Sequence, residues 1–259
     1  MGVLNITPDS FSDGGRYLDA DSAVAQAKRL AEEGADIIDI GGESTRPGAE
    51  PVPAEEELRR VLPVIKALQG KVDRLISIDT SKPEVMRAAV AAGAGLINDV
   101  AALRAPGAVE AAGDLDVPVC LMHMKGEPRS MQLSPHYENV VVEVRDFLLE
   151  RAAIAERAGV RKQNIHLDPG FGFGKTLEHN LALLRHLDDF VATGYPVLVG
   201  MSRKSMVGAL LDTPVDDRVF GSVTLAAIAA MKGAAIIRVH DVKPTRDALK
   251  VCGAVMAAA

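Results

Sequence analysis

Short β-branched runs alternate along the chain with longer stretches whose apolar residues recur at helical spacing. That alternation is what parallel βα units require, because a strand period of two must give way to a helix period of 3.6. Strands are expected at Val3 to Ile6, Asp36 to Ile40, Leu75 to Asp79, Leu96 to Val100, Val117 to Met122, Asn164 to Asp168, Pro196 to Gly200 and Ala235 to His240. Helices are expected at Ser22 to Glu33, Glu55 to Leu68, Pro83 to Ala92, Tyr137 to Ala158, Leu177 to Phe190, Phe220 to Lys232 and Pro244 to Ala257. Gly34, Gly93, Gly159 and Gly233 each follow a helical stretch, where a left-handed residue closes the last turn. Eight units of about 32 residues, with no linker-like stretch between them, predict an α/β fold of the (β/α)8 TIM barrel class. A single domain over 1–259 is expected. An open doubly wound sheet is the alternative, but the GxGxxG turn it would carry after its first strand is absent.

Composition narrows the partners. Of 259 residues, 48% are hydrophobic and 25% charged, which is globular and not disordered. Lys plus Arg number 29 against 35 Asp plus Glu, a net charge of -6 that argues against nucleic-acid backbones and anionic membranes. Aromatics are 3% with no Trp, so a base-stacking platform is not expected. No apolar run approaches the roughly 18 residues of a membrane span. The two cysteines, Cys120 and Cys252, lie far apart, and the first residues lack the basic and apolar regions of a signal peptide. The expected compartment is the cytoplasm.

The barrel reading demands that chemistry cluster where strands end. Strand one carries Asn5 and runs into Thr7-Pro8-Asp9-Ser10-Phe11-Ser12-Asp13-Gly14-Gly15, and strand two into Gly41-Gly42-Glu43-Ser44-Thr45-Arg46-Pro47-Gly48. Strands three and four end in Asp79-Thr80-Ser81-Lys82 and Asn98-Asp99, and strands five and six in Met122-His123-Met124 and Asp168-Pro169-Gly170. Ser202-Arg203-Lys204-Ser205 follows strand seven, and strand eight holds Arg238, His240 and Asp241. Each acid alone could be a helix cap or a binder of loop amides, and either histidine could be packed core. Eight such coincidences on one rim argue for a site.

Two motifs resemble others without meeting their demands. Gly170 to Thr176 looks like a phosphate-binding P-loop, but the glycine required five positions before Gly174 is Pro169. Cys120-x-x-His123 is half a zinc site with no second pair. The glycines suit a tight turn and a close backbone approach to a ligand. Carboxylates and a carboxamide at Asp79, Asn98 and Asp168 suit a heterocycle rich in N–H donors, such as a pterin or purine edge. Arg46, Arg238 and His240 suit an anion, so a phosphorylated heterocycle is the ligand class expected.

At these same blocks, in order and over essentially the whole chain, the sequence resembles the dihydropteroate synthase family. The most specific are Asn5 to Gly15 and Asp168 to Lys175, with Gly42 to Gly48, Ile78 to Lys82, Ile97 to Asp99, Leu121 to Met124, Gly200 to Ser205 and Arg238 to Val242 beside them. The resemblance implies a transferase of folate biosynthesis. Its reaction joins 6-hydroxymethyl-7,8-dihydropterin pyrophosphate to p-aminobenzoate, giving 7,8-dihydropteroate and pyrophosphate. It further implies that Asp79, Asn98, Asp168 and Lys204 hold the pterin, with Asp79, Asp168 and Lys204 as the catalytic set. Arg238, His240 and Asn5 would hold the pyrophosphate, Asn5 through Mg²⁺. Thr45, Arg46, Ser202 and Phe173 would border the p-aminobenzoate site, where sulfonamides compete, and Met122 and Gly200 would complete the substrate contacts. The loop from Asp9 to Asp13 would close over both substrates, and the chain would form homodimers.

Members of that family carry a short segment before the first strand that covers the barrel bottom, whereas this sequence opens inside the first motif. Two other functions share part of this pattern. A barrel that passes a methyl group from methyltetrahydrofolate to a corrinoid shares the acids but does not need the Ser202 to Lys204 and Arg238 to His240 sets. A non-catalytic pterin-binding regulator would be expected to lack first-loop or anion-site residues.

Overall fold

The computed structural model describes residues 1–6, 16–44, 48–126, 131–132 and 134–258. Strands β1 (Gly2–Asn5), β2 (Ile37–Gly41), β3 (Leu75–Asp79), β4 (Leu96–Asp99), β5 (Val119–Met122) and β6 (Ile165–Asp168) pair side by side in chain order, all parallel. A shorter pair, β7 (Leu198–Val199) and β8 (Ile236–Ile237), completes the set. Parallel bridges Leu167–Val197 and Gly2–Val239 join the two sheets at both seams, so the eight strands close into a ring. The predicted barrel is present, and each predicted strand is found within a few residues of its expected ends.

Ten helices among the described residues form the outer layer: α1 (Arg16–Glu32), α2 (Ala54–Leu68), α3 (Pro83–Ala91), α4 (Ala108–Leu115), α5 (Val140–Arg157), α6 (Leu177–Arg185), α7 (Leu187–Val191), α8 (Ser205–Leu211), α9 (Val219–Met231) and α10 (Val242–Met256). Their starts and stops have local causes. Asn139 caps α5 by accepting from Val141 and Val142 N–H, and Thr176 and His179 form a reciprocal capping box on α6. Gly34, Gly93, Gly159 and Gly233 all have positive φ, as the helix-stop reading requires.

Three helical expectations need correcting. The stretch from Leu177 to Phe190 is two helices, broken at His186 where φ reaches -105°. Helix α4 was not predicted, because eight Ala-, Gly- and acid-rich residues carry little amphipathic signal. Nor was α8, so the seventh crossover holds two helices rather than one.

Strand alternation separates two environments. Ile38, Ile40, Ile76, Ile78, Ile97, Leu121, Ile165 and Leu167 are buried against the helices in one continuous apolar core. The intervening residues enter the ring, and these include Asp39, Asp79, Asn98 and Asp168. Parallel pairing puts Asn5 level with Gly41, Gly41 with Asp79, and Asp79 with Asn98. The backbone ladder therefore delivers these groups to one level at the carboxyl ends of the strands. No described helix is long and apolar enough to cross a membrane.

Candidate active site

Three strands of the first half and one of the second meet around Arg238. Its Nε donates to Asp39 Oδ2 at 2.6 Å and its Nη2 to Asp79 Oδ2 at 2.8 Å, while Asn98 Nδ2 donates to Asp39 Oδ2 at 3.2 Å. Asp39 is fully buried, and its Oδ1 has no hydrogen-bond partner among the described residues. Burial pushes the Asp79 carboxyl up to about 7, with Arg238 pulling the other way and Asp39 adding to the rise. For Arg238, burial opposes the charge, but the Asp39 and Asp79 carboxylates outweigh it and keep the guanidinium ionised. Asp79 is not a helix cap, since Lys82 holds that position before α3 without a side-chain cap bond.

Its neighbour Asp99 does serve the backbone. Asp99 accepts from Ser81 Oγ and from Ala101 and Leu103 N–H, at 2.6–2.7 Å. These bonds, with Arg151 donating to Ala102 and Leu103 carbonyls, hold two non-glycine residues at positive φ in the loop after β4.

The second group lies after β6 and β7. Asp168 Oδ1 accepts from Gly170 N–H at 2.7 Å; burial raises its carboxyl, and Lys204 opposes that rise. Lys204 Nζ donates to Phe171 O at 2.5 Å and sits 4.5 Å from the Phe173 ring centroid. Burial lowers the Lys204 ammonium to about 8, against the pull of Asp168. Met122, Met124 and Met131 form a buried apolar wall, with Val100 and Phe173 packed on it.

The glycine turn has a different purpose from the one expected. Cβ atoms added at Gly170 and Gly174 would lie 1.9 Å from His123 O and 2.3 Å from Lys125 O, so the close approach is to the loop after β5. Only Gly172 faces the site, where a Cβ would lie 3.2 Å from Lys204 Cδ. Lys175, nearly fully buried, fastens this turn. Its Nζ bonds Gly170 O, Phe173 O, His123 O and His123 Nδ1 at 2.8–3.3 Å. Burial drives the Lys175 ammonium well below its ordinary value, and His123 is pushed down in the same way, so His123 is a packed structural histidine.

At the far end, Ser202 Oγ lies 3.1 Å from both His240 N–H and His240 Nδ1. Ser202 is buried and thus shapes the site through His240. The sequence suggested a cationic His240. Burial, then Arg238 and Arg203, bring its imidazole down to about 4, so it enters the site as a neutral hydrogen-bonding ring. Arg238 is likewise a paired cation, not a free one. Gly200 leaves open space beside Arg238, with an added Cβ no closer than 3.8 Å. Thr45, Arg46 and the first loop from Asp9 to Asp13 lie outside the described residues.

The structure thus brings Asn5, Asp79, Asn98, Met122, Asp168, Phe173, Gly200, Ser202, Lys204, Arg238 and His240 to one rim. Sequence reading missed Asp39, the buried fastening role of Lys175 and the Arg203–Asp241 pair. Asp39 did leave a signal, an acid in the middle of an otherwise apolar strand.

Fold and site together define a barrel whose upper rim lines up acceptors and a lysine suited to an N–H-rich heterocycle, with the paired Arg238 and the neutral His240 at one end. The family described as "Pterin binding enzyme" matches residues 1–240. A dihydropteroate synthase of Haemophilus influenzae is 55% identical over 97% of this chain and 91% of its own length. A Xanthomonas albilineans dihydropteroate synthase solved with 4-aminobenzoic acid has a TM-score of 0.95 and 56% identity, covering 100% of this chain and 93% of its own. Another structure of that enzyme, in complex with 7,8-dihydropteroate, gives 0.91 and 53% with the same coverage. The chain belongs to the dihydropteroate synthase family. Its activity is the condensation of 6-hydroxymethyl-7,8-dihydropterin pyrophosphate with p-aminobenzoate to 7,8-dihydropteroate and pyrophosphate, a transferase step of folate biosynthesis.

Proposed function

We propose that the pterin ring lies between Asp79, Asn98, Asp168 and Lys204, with its pyrophosphate toward Arg238 and His240. The observation that carries this reading is the convergence of acceptors from β3, β4 and β6 with Lys204 on one rim above the Arg238 pair. Asp79 and Asp168 accept ring and exocyclic N–H groups and, when ionised, stabilise positive charge that builds on the dihydropterin as its methylene C–O bond breaks. Lys204 holds the ring's oxygen edge, and Phe173 with the methionine wall excludes water from the electrophilic carbon. The amine of p-aminobenzoate attacks that carbon as a neutral nucleophile and, once the C–N bond has formed, gives up one proton to the departing pyrophosphate or to water. Its carboxylate end lies toward Thr45, Arg46 and Ser202, where sulfonamides compete.

Mg²⁺ fits the residues present. An added Cβ at Gly41 would lie 3.7 Å from both Asn5 Oδ1 and Asp79 Oδ2, so this glycine leaves room beside two hard oxygen donors. Among the described residues no group of three His, Cys, Asp or Glu forms a metal centre. By the family resemblance, Asn5 would hold the ion, with substrate oxygens completing its coordination. A bound Mg²⁺ would supply charge neutralisation of the leaving pyrophosphate.

A homodimer is supported by one exposed apolar face. Phe220, 84% exposed, and Met231 on α9 lie on the pair of helices that also exposes Val251 and Val255 on α10. Sedimentation of the full chain reads this directly. Two free cysteines suit the reducing cytoplasm.

The deciding experiment is a pyrophosphate-release assay. Release is expected to require both p-aminobenzoate and Mg²⁺, and Lys204→Ala is expected to abolish pterin binding with the circular dichroism unchanged. Release unaffected by chelation removes the metal role, and a Lys204→Ala chain that binds pterin normally removes the slot assignment.

A further inference from the structure

We propose that Arg203 and Asp241 are positioning residues for the pyrophosphate end, their ion pair locking the loop after β7 to the loop after β8. The inference rests on the reading that Arg238 and His240 serve the pyrophosphate.

Arg203 stands between Ser202 and Lys204 with φ at 59°, a left-handed conformation that favours glycine. Its surroundings hold it there. The N–H of Arg203 donates to Ser222 Oγ at 2.9 Å, and its carbonyl accepts from Arg218 Nη1 at 3.1 Å. Ser222 Oγ donates in turn to Arg218 O at 2.7 Å, so the start of α9 forms a socket for this one residue. Gly208 in α8 makes room for that socket, since a Cβ there would lie 2.2 Å from Arg218 Nη2.

The Arg203 side chain leaves the site and meets Asp241 in a two-pronged pair. Its Nε donates to Oδ2 at 2.9 Å and its Nη2 to Oδ1 at 2.5 Å. Asp241 directly follows His240, and Ser202 directly precedes Arg203. Two parallel cross-links, Ser202–His240 and Arg203–Asp241, thus tie the same two loops together. Side chains must do this work because β7 and β8 are only two residues each. A ladder that short cannot fix loops beyond its ends.

The pair acts on the anion rather than on the ring, which sits against Asp79, Asn98, Asp168 and Lys204; Lys204 adjoins Arg203 in the chain, but its Nζ has a separate anchor at Phe171 O. The test compares two ligands on the purified full-length chain: the pterin pyrophosphate with Mg²⁺, and the corresponding hydroxymethyl pterin alcohol. Their affinity ratio reports the pyrophosphate end alone. In Arg203→Gly and Asp241→Asn that ratio is expected to fall about tenfold or more, because small misplacements of binding groups are costly. Affinity for the alcohol is expected to stay at the wild-type value, and the double variant to be no worse than either single one. Glycine accepts the left-handed backbone and asparagine keeps the shape of Asp241, so both variants retain the turn. Either single variant with the wild-type ratio overturns the proposal. So does an Asp241→Asn chain that binds pyrophosphate more tightly, which would mean that Arg203 itself touches the substrate. A wild-type ratio near one instead overturns the assignment of the pyrophosphate end, and the positioning role with it.

Discussion

Strands β1 to β6 and strands β7 to β8 build the two sides of one site by different means. The six-stranded arc has four or five residues per strand, and its register sets Asn5, Asp79 and Asn98 at one level through main-chain bonds. The two-stranded arc has almost no ladder: Ser202 and His240 bond each other, Lys204 reaches Phe171 O, and Arg203 between Ser202 and Lys204 is held by Ser222, Arg218 and Asp241. On the first side a substitution removes a charge and leaves its neighbours in place. On the second it moves the neighbours as well.

The largest effect that would sharpen this contrast is expected at Asp168, the last residue of the laddered arc. Asp168→Asn keeps an acceptor for Gly170 N–H but removes the charge, and kcat/KM is expected to fall about 10²-fold or more. A loss below tenfold in steady-state kinetics would show that the carboxylate charge is not used in the transition state.

Asp39 comes next, because it pairs Arg238 from full burial. Asp39→Ala leaves a buried guanidinium with one partner fewer, and a cost of about 3–5 kcal/mol is expected in urea unfolding. A cost under about 1 kcal/mol would mean that water or Asp79 alone satisfies Arg238, breaking the claim that the first arc is rigidly paired.

The smallest effect is on pH dependence, and it draws on both arcs. Asp79, raised to about 7, loses its negative charge as pH falls through 7, and Lys204, lowered to about 8, loses its positive charge as pH rises through 8. The profile of kcat/KM is expected to be a narrow bell between those values. Stability has the opposite sign. Between about 4 and 7 folded Asp79 holds a proton that the unfolded carboxyl gives up, so its contribution grows as pH falls. Between about 8 and 10 the unfolded chain keeps the Lys204 proton that the folded one releases, so that contribution grows as pH rises. For these two groups the activity maximum falls at the stability minimum; a bell wider than about three pH units would break the assignment of its limbs.

Much of this was legible from the chain alone. All eight strands were, because buried parallel strands are apolar runs bounded by punctuation, and so was the rim, because its polar residues fall where those runs end. What stayed hidden needed three dimensions. The φ of Arg203 cannot be read from an arginine codon between a serine and a lysine, nor can its pairing with a residue 38 positions away. Lys175 read as the tail of a glycine motif, and only its burial shows that it fastens the turn. His240 read as a cation, and only its surroundings make it neutral.

That neutrality, with the pairing of Arg238, has a consequence for how substrate arrives. Four described cations face carboxylates: Arg238 with Asp39 and Asp79, Lys204 with Asp168, Arg203 with Asp241, and Lys82 with Glu43 and Glu57. The chain as a whole carries -6. The described residues and the net charge together therefore offer a pyrophosphate ester diffusing inward little steering attraction before contact. Ions that shorten the reach of such fields to about 8 Å at physiological strength should not slow capture, unlike the salt response of enzymes that draw anions through a positive field.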